Sequence, residues 1–150
     1  MAIEAHFPTI GTVIQLAVAP VFLLTAIGAL LGVLTNRLAR AIDRARKIEN
    51  ELANLHDEAL HAALDELRVL SRRARWVNRA ISASTACAVL ICLVVAALFA
   101  GAFLATDLTA VAGTLFVLAL LALTFGLLAL LREVYLASRH LRIGEHRPGL

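Results

Sequence analysis

Three apolar runs limit what this chain can become. Ile10 to Thr35, Ile81 to Thr106 and Leu108 to Leu131 are each nearly free of charge. Each exceeds the roughly 20 helical residues needed to cross about 30 Å of hydrocarbon. With 61% hydrophobic residues and a mean hydropathy of +0.84, the chain is more apolar than a soluble domain of 150 residues, where about 45–50% is usual. The excess points to lipid, and to an all-α protein with three transmembrane helices. The segment Met1 to Pro8 carries no Lys or Arg, and the run after it is longer than the 7–15 residues of a signal-peptide core. It is therefore read as an extracytoplasmic N-terminus (1–9) leading into a retained first span (10–35).

Within that span Pro20 removes one backbone donor and is expected to loosen or kink the helix locally. Gly28 and Gly32 form a G-x-x-x-G spacing, which lets another backbone come close in lipid. From Asn36 to Arg79 the chain becomes charged and rich in Ala and Leu, with no Gly or Pro, a strong helix pattern. Leu38, Ile42, Ala45, Ile48, Leu52 and Leu55 recur at three- and four-residue steps, as do Leu60, Leu64, Leu67, Ser71, Ala74 and Val77, giving each half an apolar stripe. Both ends of this segment adjoin spans, so they lie at one membrane face. One unbroken helix would carry its far end about 65 Å away at 1.5 Å per residue. A turn is required, and Asn54-Leu55-His56-Asp57 is its natural place, with Asn54 or Asp57 capping the returning helix and Asp57 and Glu58 suiting its positive end. The segment 36–79 thus reads as an antiparallel helical hairpin.

The second span (80–106) and third span (107–131) are separated by Thr106-Asp107-Leu108-Thr109, a tight turn in which Asp107 is the expected cap. Beyond Arg132 a C-terminal helix and tail (132–150) follow the interface until Gly144 and Pro148 stop them. All 14 Lys and Arg residues fall within 37–79 and 132–147. The positive-inside rule then puts the hairpin and C-terminus in the cytoplasm and the N-terminus outside.

A formal charge of +3 does not indicate nucleic acid here, because the arginines adjoin apolar runs and stacking aromatics are lacking. Arg37, Arg44, Arg72, Arg73, Arg75 and Arg79, with Trp76 as an interfacial aromatic beside Tyr135, are candidates for contact with anionic lipid head groups. Asp43 with Lys47, and Lys47 with Glu51, are spaced to pair along one helix. Glu58, His61 and Asp65 share a helical face and are weak metal candidates. Di-iron bundles need two Glu-x-x-His motifs and two further Glu residues, and this chain has one such motif. No metal or other cofactor is expected. Cys87 and Cys92 lie on different helical faces of one span and are not placed to pair. Ser82, Ser84, Thr85 and Ser138 have no His with an orienting third residue, and hydroxyls in apolar helices usually bond to the preceding turn. No enzymatic activity is expected.

One face of the first helix gathers Thr25, Gly28, Gly32, Asn36 and Arg40, with Asp43 and Lys47 beyond them. Around an axis shared by several copies, this face would line an aqueous path; alternatively, it packs helices tightly through its glycines.

Pro20-Val21-Phe22-Leu23-Leu24, then Asn36-Arg37-Leu38-Ala39-Arg40-Ala41-Ile42-Asp43-Arg44-Ala45-Arg46, then Arg72-Arg73-Ala74-Arg75 with Asn78-Arg79-Ala80-Ile81, resemble a domain-of-unknown-function family of small bacterial membrane proteins. The resemblance covers most of the chain and implies a three-span protein of the bacterial inner membrane, with no activity attached. Two functions follow as expectations. One is a homo-oligomeric ion channel or pore lined by the first helix. The other is a non-conducting scaffold or regulator whose cytoplasmic hairpin binds a protein partner or anionic lipid.

Overall fold

The computed structural model describes residues 10–52, 56–104 and 106–141, and within them every regular element is helical. The helices are α1 (Ile10–Glu51), α2 (Glu58–Leu104) and α3 (Thr109–Leu141). The expected N-terminal segment 1–9, the caps and contacts assigned to Asn54 and Leu55, and the tail from 142 lie outside the described residues. All three helices contain stretches long and apolar enough to cross a membrane, with hydropathies of 2.4, 2.9 and 2.6. The chain is a multi-pass membrane protein by that criterion, and its many outward Phe, Leu and Val side chains are what lipid-facing helices require.

Neither expected border of the charged segment interrupts a helix. α1 continues through Thr35-Asn36 and α2 through Arg79-Ala80, because nothing at either border removes a backbone donor or favours left-handed backbone. α1 is also continuous through Pro20, which is buried.

The end of α1 and the start of α2 are joined by a short connection in which Asp57 has φ 51°, a left-handed conformation that Asp tolerates better than most residues. Its carbonyl accepts from the His61 amide at 3.2 Å, and Glu58 places a negative charge in the first turn of α2. At the other connection the Thr106 amide donates to the Gly101 carbonyl at 3.1 Å, closing the C-terminus of α2. A Cβ on Gly101 would stand 3.1 Å from the Thr106 carbonyl oxygen, so this close approach favours glycine. Asp107 Oδ1 accepts from the Thr109 amide at 3.0 Å, which makes it the N-cap of α3.

Buried positions recur at steps of seven residues along each helix, with one step skipped at half-buried Ala41. They are Val13, Pro20, Ile27, Leu34 and Ile48 on α1; Leu70, Val77, Ser84 and Ile91 on α2; and Ala112, Ala119, Gly126 and Glu133 on α3. A seven-residue repeat of inward positions is the pattern of left-handed helix packing. On α3 the buried set before Glu133 is small, Ala112, Ala119, Gly126 and Ala129, which lets neighbouring backbones approach.

The helices contribute to two compact units. The first comprises α1 up to Leu31 with residues 83–124, and its core is apolar. Ile27, Cys87, Ile91 and Ala119 are buried there, with Leu23, Leu24, Phe116 and Leu123 packed against them. Cys87 is free and buried and Cys92 is free and exposed, in keeping with their different faces. Thr114 and Thr124 hydroxyls bond back to the carbonyls of Ala110 and Leu120, both at 2.8 Å. Ser84 departs from this habit: its hydroxyl is buried with no partner among the described residues.

The second unit comprises residues 32–82 with α3 from Phe125 onward, and here the packing is set by charge. Arg44 bonds Glu66 at 2.8 Å, while Arg37 and Arg73 meet at a common partner, Glu133. Moving seven residues forward on α1 (44 − 37) moves the partner seven residues back on α2 (73 − 66), so the two segments run antiparallel. The expected pairs Asp43–Lys47 and Lys47–Glu51 are not made. All three side chains are exposed, where holding two long side chains in one geometry offsets most of the gain.

Candidate functional site

Glu133 is the feature on which the second unit turns. It occupies the inward position seven residues after Gly126 on α3, and its side chain is 3% exposed. An isolated carboxylate in that place would cost several kcal/mol in lost hydration. Each oxygen instead receives one guanidinium. Arg37 donates from Nη1 to Oε2 at 2.7 Å, and Arg73 donates from Nη2 to Oε1 at 2.9 Å. Charge-assisted bonds of this kind are worth about 1.5–3 kcal/mol each, enough to offset the desolvation without a large net gain. The arrangement therefore acts chiefly on register. A one-residue slip of α3 would rotate Glu133 off its partners and leave a buried charge uncompensated, at about 3–5 kcal/mol.

Two guanidiniums against one carboxylate leave the triad with a net positive charge. Beside it opens a pocket of about 260 Å³, lined by Arg37, Arg40, Arg44 and Arg73 with Glu133, and by the apolar side chains of Ala41, Leu70 and Val77. Glu66 beside Arg44 holds that guanidinium more firmly protonated, through its hydrogen bond first and its charge second. Arg73 Nε is buried and has no acceptor among the described residues.

A second charged contact joins α2 and α3 in this unit. Trp76 has Arg79 over its ring at 4.8 Å and Arg132 at 4.9 Å, so its π-system receives guanidiniums from two helices.

Thr25, Gly28, Gly32, Asn36 and Arg40 are all exposed on α1, and a Cβ added at Gly28 or Gly32 meets nothing within 4 Å. The glycine spacing is thus unused within one chain, whereas the small residues of α3 are the ones packed. Of the head-group candidates, Arg37 and Arg73 are committed to Glu133 and Arg44 to Glu66. Arg72, Arg75 and Arg79 are exposed, with Arg79 resting on Trp76. Glu58, His61 and Asp65 are exposed, and Asp65 pairs with Arg68 at 3.1 Å. No group of three His, Cys, Asp or Glu side chains able to hold a metal is found among the described residues.

Sequence reading missed Glu133 and Arg132. The signal was the seven-residue series Ala112, Ala119, Gly126, which places Glu133 inward, and it is easily passed over because a Glu after an apolar run looks like an ordinary interfacial charge.

No curated protein and no solved structure matches this chain. The sequence model of one family, described as a protein of unknown function (DUF2721), matches residues 17–143, which include α1 from Ala17, all of α2 and α3, and the whole arginine–glutamate triad. The chain belongs to that family of unknown function.

Proposed function

We propose that this protein is a self-associating component of the bacterial inner membrane, in which the outward face of α1 from several copies surrounds an axis along which ions pass. The observation that carries the reading is the exposure of Thr25, Gly28, Gly32, Asn36 and Arg40 on one continuous helix. Within the span, Gly28 and Gly32 leave a shallow face that a second copy fills better than lipid chains do, and beyond it Asn36 and Arg40 continue the face with polar groups suited to water. The core of the first unit is filled by Ile27, Ile91 and Ala119, so the path belongs to the assembly and not to one chain. The distribution of Lys and Arg supports an outside N-terminus and a cytoplasmic hairpin and C-terminus. The reading includes no cofactor and no enzymatic step.

A non-conducting scaffold or regulator is the second reading, and the arginine-lined pocket that the hairpin forms with Glu133 of α3 favours it. Ion flux separates the two. Purified protein in liposomes passes ions under the first, and Gly28→Leu or Asn36→Leu alters that flux. An intact oligomer that conducts nothing across varied pH, voltage and ions leaves the scaffold and removes the pore.

A further inference from the structure

We propose that the pocket formed by Arg37, Arg40, Arg44 and Arg73 is a binding site for a phosphate-type oxyanion, carried on a lipid head group or free in solution. The site lies wholly within the second unit and shares only Arg40 with the face proposed to line a path, so anion binding is tested apart from conduction.

Charge is the first support. Four guanidiniums border the pocket, and the carboxylates bonded to them are Glu133 and Glu66, so the wall keeps two positive charges in excess. Both oxygens of Glu133 are already occupied. Arg40 forms no ion pair with any described residue, though it stands at the pocket rim.

Geometry is the second. Arg73 Nε is a buried donor without an acceptor among the described residues, which is rare in folded proteins and is relieved when an oxygen comes within reach. Guanidinium donors match the oxygens of a phosphate group in pairs, and the flanking Ala41, Leu70 and Val77 reduce the screening that weakens such bonds at an open surface. A space of about 260 Å³ accepts a phosphate group with part of its head group.

Position is the third. Arg37 follows the first apolar run by two residues, and Glu133 follows the third by two. That is the depth at which lipid phosphates lie, although a soluble anion reaches the same site from water.

The test uses the full chain in a neutral detergent, with native mass spectrometry and thermal unfolding as readouts. The probes are phosphatidylglycerol, phosphatidylcholine with the same acyl chains, and inorganic phosphate. The site takes one phosphatidylglycerol or one phosphate per chain, saturably, and does not take phosphatidylcholine. Arg40→Gln weakens that binding about tenfold or more, while Arg68→Gln, a charge-matched change outside the pocket, leaves it within about twofold. Arg44→Gln reports the same loss should Arg40→Gln fail to fold. Binding of phosphatidylglycerol without competition from phosphate assigns the lipid source, and competition by phosphate assigns the free anion. Absence of saturable binding to either probe, or equal weakening by the pocket and control variants, overturns the proposal.

Discussion

Arg73 Nη2 lies 2.9 Å from Oε1 of Glu133, and the glutamate side chain is 3% exposed while the arginine is 33% exposed. The acid is therefore the committed member of the pair and the base the adaptable one. Water can take over the outer donors of Arg73, but nothing but Arg37 and Arg73 answers Glu133 among the described residues. Register follows from the acid.

Glu133→Gln should accordingly destabilise the protein by about 3 kcal/mol, the lower end of the range for breaking a buried ion pair, because both arginines keep partial access to water. Arg37→Gln and Arg73→Gln should each cost less. Combined with Glu133→Gln they should cost less than the sum, since all three belong to one network. Thermal unfolding in detergent of the single and double variants measures this. Full additivity contradicts it.

Trp76 supplies a second, smaller link. With guanidiniums at 4.8 and 4.9 Å, Trp76→Leu keeps an apolar side chain but loses two cation–π contacts, worth about 0.5–1 kcal/mol each at this exposure. Arg132→Gln, which removes one of the two contacts, should reproduce about half of that loss. If Trp76→Phe destabilises as much as Trp76→Leu, packing volume and not the π-face is responsible.

Asp107 provides a pH dependence with a definite sign. The Thr109 amide, and then its side chain, hold the Asp107 carboxyl below its usual range. A carboxyl depressed in the folded state stabilises at pH values above its unfolded pKa, about 3.9, and loses that contribution as the pH falls through the lower folded value. The melting temperature of Asp107→Ala should therefore lie below that of the wild type at pH 7, and the gap should narrow as the pH is taken below about 4. A gap that is constant across this interval would contradict the capping assignment.

Asp57 tests the connection between α1 and α2. At φ 51°, Asp57→Val should be less stable than Asp57→Gly by about 1–2 kcal/mol, because a β-branched side chain clashes with left-handed backbone. Equal stabilities would mean that the connection relaxes to another conformation.

The helices were legible in the sequence because lipid imposes a length and a composition that few other environments demand. The cap at Asp107 was legible too, as the one charge between two apolar runs. The inner face of each helix was harder. Leu64 and Ile42 belong to an apolar stripe by spacing but stand 39% and 41% exposed, while Leu70 and Ala80 are buried. A stripe read at three- and four-residue steps drifts around a helix unless the repeat of seven is held fixed. The triad was the least legible, because a pairing across 96 residues leaves no local trace, and arginines at a membrane border have an ordinary explanation that hides a specific one. The same difficulty applied to the glycines. Spacing announces that Gly28 and Gly32 allow a close approach, but which backbone approaches is a property of the assembly.

Disulfide cross-linking in native membranes tests self-association through α1 most directly. In a background with Cys87→Ala and Cys92→Ser, single cysteines at Gly28, Gly32 and Asn36 are compared with one at Leu121, 60% exposed on α3. Dimers should form rapidly at the three α1 positions and little at Leu121. Cross-linking that is absent at all three α1 positions, or no faster there than at Leu121, would contradict self-association through α1.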